Sequence, residues 1–212
     1  MISQTYNLII LDRSGSMMSI REQAIAGVNE TIGTIRSISR KNDMRQLVTL
    51  STFCSCSNED IYHNDDVECV KMITPRDYEP CCCTPLYDAI GRCCTRLSRE
   101  IGERDDVAVS VTIITDGYEN ASKEWTGSAV KQLIESLKAK GWLFAYIGAN
   151  QDLEEIKFSL SIENTLSFEA TPVGTRNMFK KERRAREEWA NSVCCCQAIN
   201  DVADLNLNYF KK

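Results

Sequence analysis

The chain has 212 residues, of which 43% are hydrophobic and 26% are charged. This composition suits one domain with a sizeable core and excludes a disordered or fibrous protein. The formal charge of −5, from 25 Lys and Arg against 30 Asp and Glu, disfavours nucleic acid and anionic membranes as partners, and no apolar run reaches the ~18 residues of a membrane helix.

Strands and helices are predicted to alternate along the first half of the chain. Short, nearly all apolar runs indicate strands buried on both faces of a sheet, whereas apolar residues at three- and four-residue steps indicate helices. The predicted elements are a strand over Tyr6 to Leu11, a helix with its apolar stripe from Ile25 to Ile38, a strand over Gln46 to Phe53, a turn over Asn58 to Asp66 and a short edge strand over Val67 to Ile73. The first strand is expected to be central, because it has no polar face.

The same alternation continues in the second half. The predicted elements are a helix from Pro85 with Thr84 as its N-cap, a strand over Val107 to Ile114, a helix with its stripe from Val130 to Leu137, a strand over Trp142 to Ile147, a helix over Leu153 to Leu160, a short strand over Leu166 to Phe168, a helix from Thr175 to about Asn200 and a tail over 201–212. In the last helix, the charged run from Lys180 to Glu188 is predicted to face solvent.

This order of elements predicts the α/β class, with one domain over residues 1–212. Its centre would be an open, doubly wound, mostly parallel sheet with helices on both faces and one short antiparallel edge strand. In such sheets the ligand crevice lies at the carboxyl ends of the strands. The residues that follow Leu11, Ile114 and Ile147 are therefore the place to look for chemistry.

Three polar loops of the sequence form a recognisable pattern. They are Asp12-Arg13-Ser14-Gly15-Ser16 after the first strand, Thr84-Pro85 before a helix and Thr115-Asp116-Gly117 after the central strand. Together they resemble the metal-ion-dependent adhesion site of the von Willebrand factor type A (vWA) family, written Asp-x-Ser-x-Ser, then a Thr, then an Asp. The matching residues are Asp12, Ser14, Ser16, Thr84 and Asp116. The element order also resembles the family along nearly the whole chain, with small single-domain bacterial members the most similar.

The resemblance implies a divalent cation bound by these five residues and a protein partner that offers an Asp or Glu to the cation. The residue types agree, because Mg²⁺ prefers about six oxygen ligands and keeps several waters, and Mn²⁺ or Ca²⁺ could substitute for it. Ser14 and Ser16 are two residues apart, so both hydroxyls can face one point in an extended turn, while Gly15 lets the backbone bend.

Each of these residues also has a purely structural interpretation when it is taken alone. Asp and Ser after a strand are common caps and turn residues, and Thr84 before Pro85 suits a helix N-cap whether or not it contacts a metal. Asp88 and Glu119 lie nearby in the sequence, and we interpret them as solvated or as neighbours of the ligands rather than as ligands.

A binding protein is a better interpretation than an enzyme. The single histidine, His63, is expected at the surface in a polar turn, so no Ser-His-Asp triad can be built around it, and no phosphate-binding or dinucleotide-binding glycine motif follows a predicted strand. One alternative is an adaptor for an AAA+ ATPase or a stress-response complex. Alternatives of another class are a metal-dependent phosphatase and a thiol-redox enzyme.

Eleven cysteines are an unusual number for this length. The sequence does not open with a basic segment followed by an apolar stretch, so we expect reduced thiols and a cytoplasmic location. None of the clusters has the C-x₂-C spacing of a zinc knuckle, although a zinc or redox site stays an alternative. We interpret Cys93, Cys94 and at least one residue of Cys194 to Cys196 as small core hydrophobes.

The run Cys81 to Cys83 has a different expected role, because it immediately precedes Thr84 and forms part of the wall of the metal loop. Related domains often have glycine in this place. If one of these thiols is exposed, its oxidation would be able to tune or block access to the cation.

Overall fold

A six-stranded sheet forms the centre of the protein in a computed structural model that describes residues 2–149, 151–196 and 198–210. The strands are β1 (Gln4–Asp12), β2 (Arg45–Cys54), β3 (Ser57–Asp66), β4 (Val107–Thr115), β5 (Leu143–Ala149) and β6 (Asn164–Phe168). They lie in the order β3-β2-β1-β4-β5-β6, and all neighbours are parallel except β3, which is antiparallel to β2. The predicted α/β class, with one antiparallel edge strand and β1 in the interior of the sheet, is confirmed.

Helices cover both faces of this sheet. They are α1 (Arg21–Asn42), α2 (Leu86–Ile101), α3 (Gly127–Lys138), α4 (Leu153–Leu160), α5 (Pro172–Val193) and α6 (Ile199–Leu205), with short 3₁₀ turns at Gly15–Ile20 and Asn206–Asn208. One face packs against α1 and α5, and the other packs against α2, α3 and α4. Because β1, β4 and β5 are buried along their whole length, their nearly continuous apolar sequences follow from burial on both faces. None of the described helices is long and apolar enough to cross a membrane.

The edge of the sheet differs from the prediction. The segment predicted as a turn, Asn58 to Asp66, lies in strand β3, and the predicted strand Val67 to Ile73 contains no strand. An edge strand needs no apolar face, so β3 is half-exposed and polar, and its Asn58 accepts a hydrogen bond from Ser51 of β2 at 3.1 Å. The apolar residues of 67–73 pack under α1 instead, where Arg36 donates hydrogen bonds to two of their carbonyl groups.

The ends of two helices also differ from the prediction. Helix α2 begins at Leu86, and Thr84 provides no side-chain cap for it. The helix predicted from Thr175 to about Asn200 begins at Pro172 and ends at Val193, and the predicted tail contains α6 and a 3₁₀ turn. The tail folds back because its apolar residues pack against α5 and against the amino-terminal ends of β4 and β5.

Part of the charged run on α5 faces inward, contrary to the prediction of a solvent-facing run. Arg186 and Glu182 are each 1% exposed and form an ion pair at 2.7 Å. The guanidinium also donates to Asn7 of β1 and to Thr112 of β4, each at 2.7 Å, and Tyr209 donates to Glu182 at 3.3 Å. Polar side chains on the two central strands therefore give this buried charge its partners.

Removal of the guanidinium should be costly, because it leaves Glu182 as a buried charge without its partner. For Arg186→Met we expect a loss of about 3–5 kcal/mol in the free energy of unfolding, measured by urea denaturation. Arg184→Ala is the matched control: Arg184 pairs with Glu188 on the exposed face of the same helix, and a pair of this kind contributes only about 0.3–0.5 kcal/mol. Equal losses in the two variants would contradict the assignment.

Candidate metal centre

The carboxyl ends of two central strands place two aspartates at the same edge of the sheet. Asp12 is the last residue of β1, and Asp116 follows Thr115, the last residue of β4. These strands are parallel neighbours in which Leu11 is paired with Ile114. The two carboxylates therefore lie on adjacent strand ends, where α/β sheets bind their ligands.

Hydrogen bonds join four of the five predicted site residues in a chain. The backbone N–H of Ser14 donates to Asp12 Oδ1 at 2.6 Å, and the Oγ atoms of Ser14 and Ser16 are 3.2 Å apart. Ser16 Oγ in turn donates to Asp116 Oδ1 at 2.6 Å. The loop after β1 thus turns both serine hydroxyls towards the carboxylates, as the two-residue spacing predicts.

The fifth residue, Thr84, reaches the same place from the loop before α2. A Cβ atom added to Gly117 would lie 3.3 Å from Thr84 Oγ1 and 3.9 Å from Ser16 Oγ, so glycine leaves open a space that both hydroxyls border. Asn120 fixes this loop, because its side chain accepts a hydrogen bond from Thr84 N at 2.9 Å and its own N–H donates to Thr84 O at 3.1 Å. The structure brings all five predicted residues to one edge.

Asp12 is the most buried group of the site. Its side chain is 0% exposed, and its Oδ2 accepts a hydrogen bond from Thr115 at 2.6 Å. Burial raises the pKa of Asp12 to about 6, even though the hydrogen bonds from Thr115 and Ser14 oppose that shift. Burial also raises the pKa of Asp116. Within the described part of the chain, no Lys or Arg forms an ion pair with either carboxylate.

This donor set fits a hard divalent cation. Two carboxylates and three hydroxyls offer only oxygen, which is the ligand type that Mg²⁺, Mn²⁺ and Ca²⁺ prefer. A buried carboxylate without a basic partner is costly, and a bound cation would remove that cost. The open space beside Gly117 is bordered by the hydroxyls that such an ion would need.

Two acidic residues near the site support the loops. Asp88 is 7% exposed, and its carboxylate accepts hydrogen bonds from the backbone N–H groups of 123–125 at 2.8 to 2.9 Å. Glu119 accepts hydrogen bonds from the N–H groups of Tyr87 and of 121–122. Asp88 is therefore not solvated, and both residues hold the loop after β4 against α2. Nothing in the local sequence indicates these long-range contacts.

Two further side chains position the site without a signal in the sequence. Tyr78, which is buried, donates its hydroxyl to the carbonyl of Asp12 at 2.5 Å. Gln151, just after β5, donates to the carbonyl of Gly117 and accepts a hydrogen bond from Tyr146 at 2.7 Å. The end of β5 thus supports the site by holding the carbonyl group of Gly117, and it contributes no proposed metal ligand.

The other residues that the sequence analysis singles out are the core cysteines and His63. Cys93, Cys94 and Cys196 are buried, which confirms the core interpretation. His63 is partly exposed, but it lies on β3 rather than in a turn, and its ring contacts Asp60 at 3.0 Å and Glu100 at 2.9 Å.

Three other thiols lie close together beside the loop that leads to Thr84. The sulfur atoms of Cys54, Cys56 and Cys81 all lie within 4.8 Å of one another. A search for C-x₂-C spacing misses this group, because its members come from two separate loops.

Solved structures with the same fold are similar to this chain at low sequence identity. Proximal thread matrix protein 1 from the mussel byssus has a TM-score of 0.58 and 12% identity, over 89% of this chain and 46% of that chain. The SpRpn10 VWA domain has a TM-score of 0.60 and 11% identity, over 84% and 94% respectively. Manganese-loaded TRAP protein of Plasmodium vivax has a TM-score of 0.55 and 16% identity, over 79% and 69%.

These likenesses are structural and do not extend to the sequence. No protein-family model matches the chain, and no curated protein sequence matches it. The chain spans about half the length of the mussel protein but 94% of the SpRpn10 VWA domain. Strand order, the antiparallel edge strand and these structural matches agree, and the fold of this chain is that of the von Willebrand factor type A domains.

Proposed function

We propose that this chain is a protein-binding module that depends on a divalent cation. The observation that carries the proposal is the buried carboxylate of Asp12, which has no basic partner among the described residues and accepts hydrogen bonds from the backbone N–H of Ser14 and the hydroxyl of Thr115. The cation would be held by the five residues Asp12, Ser14, Ser16, Thr84 and Asp116. It would supply positive charge and a coordination position for an oxygen of another molecule.

The proposed cation is Mg²⁺, with Mn²⁺ or Ca²⁺ as substitutes. The all-oxygen donor set supports a hard ion, and the manganese-loaded state of the TRAP protein supports a divalent ion in this fold. The role of the chain's own residues is to hold the ion, keep its coordination oxygens in place and leave one side open to the surface.

The proposed partner is a protein that presents an Asp or Glu to the cation. Support comes from two large apolar side chains on the rim, Met18 and Tyr118, each of which is 50% exposed and lies two residues from a proposed ligand. Methionine and tyrosine are enriched in protein interfaces. The partner's carboxylate would bind the ion, and the apolar side chains around it would bury surface against the partner.

We propose binding rather than catalysis. An oxygen-only shell leaves Mg²⁺ a weak acidifier of its water compared with histidine-bound Zn²⁺. His63 is engaged by Asp60 of the edge strand and by Glu100 of α2. A nucleic acid partner is not expected at an edge that carries two carboxylates. The proposed location is the cytoplasm, supported by the eleven cysteines, which are free thiols in the structure.

Mg²⁺ should stabilise the protein through Asp12. At a Mg²⁺ concentration of 100 times its dissociation constant, binding adds about 2.7 kcal/mol to the free energy of unfolding, so the melting temperature should rise. Asp12→Asn should melt at the same temperature with and without Mg²⁺, whereas the control Asp105→Asn, an exposed carboxylate before β4 at the opposite edge, should keep the wild-type rise. A full Mg²⁺ response in Asp12→Asn would refute the assigned site.

Asn120 should act on the cation by positioning Thr84. We expect Asn120→Ala to weaken Mg²⁺ binding by about 10- to 100-fold, the usual effect when a group that orients a ligand is lost, as measured by isothermal titration calorimetry. The control is Asn191→Ala, whose side chain bonds Asn42 on the far side of the fold. If both variants bind Mg²⁺ like the wild type, the hydrogen bonds of Asn120 do not position a ligand.

Partner capture tests the function directly. The tagged full chain is incubated with an extract of its source cells in Mg²⁺ and in EDTA, alongside Ser14→Ala and the control Ser136→Ala, whose hydroxyl is on α3. A bound protein should be present only with Mg²⁺ and should be lost with Ser14→Ala alone. Substitution of its contacting Asp or Glu should also abolish capture. A partner that persists in EDTA would show that the mechanism is wrong.

A further inference from the structure

The three thiols come from two parts of the chain that the fold brings together. These are the end of β2 with the turn after it, and the loop that leads to Thr84. Cys54 ends β2, Cys56 lies in the tight turn to β3, and Cys81 lies in the loop that leads to Thr84. The sulfurs of Cys54 and Cys81 are 3.4 Å apart, and all three sulfurs lie within 4.8 Å of one another. Cys54 is buried, like the core thiols Cys93 and Cys94, but Cys56 is exposed and Cys81 is half-buried, so the group reaches the surface.

These separations match a tetrahedral thiolate site. Two sulfurs bound to Zn²⁺ at about 2.3 Å lie about 3.8 Å apart. The separation of 3.4 Å between Cys54 and Cys81, and the limit of 4.8 Å on the other two separations, are compatible with this value, so small side-chain rotations would bring the three sulfurs around one ion. A set of only sulfur ligands favours Zn²⁺ and other soft metals over Mg²⁺.

The charges around Cys54 favour a thiolate. Burial alone would raise the pKa of Cys54, but the backbone N–H groups of Cys56 and Ser57, the Cys81 thiol and Arg13 together lower it to about 7. The guanidinium of Arg13 lies 3.7 Å from Cys54 Sγ and also contacts Ser57. The hydrogen bond with Cys54 is the main reason that the pKa of Cys81 is raised.

The surroundings leave room for an ion to enter and for a fourth ligand. Cys54 and Cys56 line a surface cavity of about 190 Å³ between the β2–β3 turn and the start of α2. Among the described residues, the group of thiols with this mutual spacing has three members, so a water molecule would fill the fourth position of a tetrahedral ion.

We propose that Cys54, Cys56 and Cys81 form a second metal site, a three-thiolate site for Zn²⁺ that is separate from the oxygen site. Each thiol that binds gives up its proton to solvent. The ion would join the β2–β3 turn to the loop before Thr84 and so brace the wall of the oxygen site.

Backbone hydrogen bonds connect the proposed zinc site to the loops of the oxygen site. Gly15 N donates to Cys82 O at 3.0 Å, and Ser55 N donates to Cys83 O at 3.0 Å. Cys81 N donates to Arg13 O at 2.8 Å. An ion held by the thiols would therefore fix two of the loops that carry the proposed oxygen ligands, the loop after β1 and the loop that leads to Thr84.

The test uses the reduced full chain freed of metal. Zn²⁺ is titrated against a chromophoric chelator, and Co²⁺ serves as a spectroscopic probe. We expect one Zn²⁺ per chain that excess Mg²⁺ does not displace, and a Co²⁺ complex with thiolate charge-transfer bands and a tetrahedral ligand-field spectrum. Cys56→Ser should weaken Zn²⁺ binding by at least about tenfold. Because Cys56 is exposed, this change should not disturb folding, which circular dichroism checks.

Two further cysteine variants serve as a control and as a repeat. Cys69→Ser, an exposed cysteine on the loop after β3, should bind Zn²⁺ like the wild type, and Cys81→Ser should repeat the loss seen with Cys56→Ser. The proposal is overturned if Zn²⁺ does not bind stoichiometrically, if Co²⁺ gives no thiolate bands or if Cys56→Ser binds as tightly as Cys69→Ser. Peptide mapping that finds Cys54 and Cys81 joined in a disulfide in the chain purified without added reductant would also overturn it.

Discussion

The buried carboxylate of Asp12 is the constraint on which the arrangement of the site depends. A charge at the end of a central strand, with no access to water, needs hydrogen-bond donors and a compensating positive charge. The chain supplies the donors through Ser14 and Thr115, and the loops around it face the carboxylate with hydroxyl groups rather than basic side chains. The surrounding loops therefore offer oxygen atoms rather than a basic partner, which is what the proposed cation would need.

The elements that local patterns identify are those that the core fully surrounds. The interior strands β1, β4 and β5 are apolar on both faces, and a short apolar run predicts such a strand directly. The edge strand β3 cannot be identified in this way, because its residues are polar and it is held by pairing with β2 rather than by packing in the core. Val67 to Ile73 is misleading for the opposite reason, since its residues are apolar and buried but the backbone is held by side chains of α1. Burial alone does not distinguish a strand from a packed loop.

The site was predictable to the extent that its residues lie at strand ends. Asp12 and Asp116 follow adjacent strands, and the spacing of Ser14 and Ser16 already indicates that they share a direction. The groups that hold these loops could not be found in this way. Asp88 accepts a hydrogen bond from the N–H of Lys123, 35 residues later in the sequence. The thiols of Cys54 and Cys81 meet only because β2 and the loop before Thr84 end at the same edge. Contacts of this kind depend on topology and have no local signature.

Arg13 stands between two proposed ligands in the sequence and reaches the thiols with its side chain. Its backbone belongs to the loop of Asp12 and Ser14, whereas its guanidinium contacts Cys54. If each proposed ion changes the position of Arg13, the two binding equilibria would be linked, and the linkage would be reciprocal: whatever factor one ion imposes on the affinity of the other, it receives in return. Through Arg13, the metal status of the cell would be able to set how readily this edge of the sheet binds a partner.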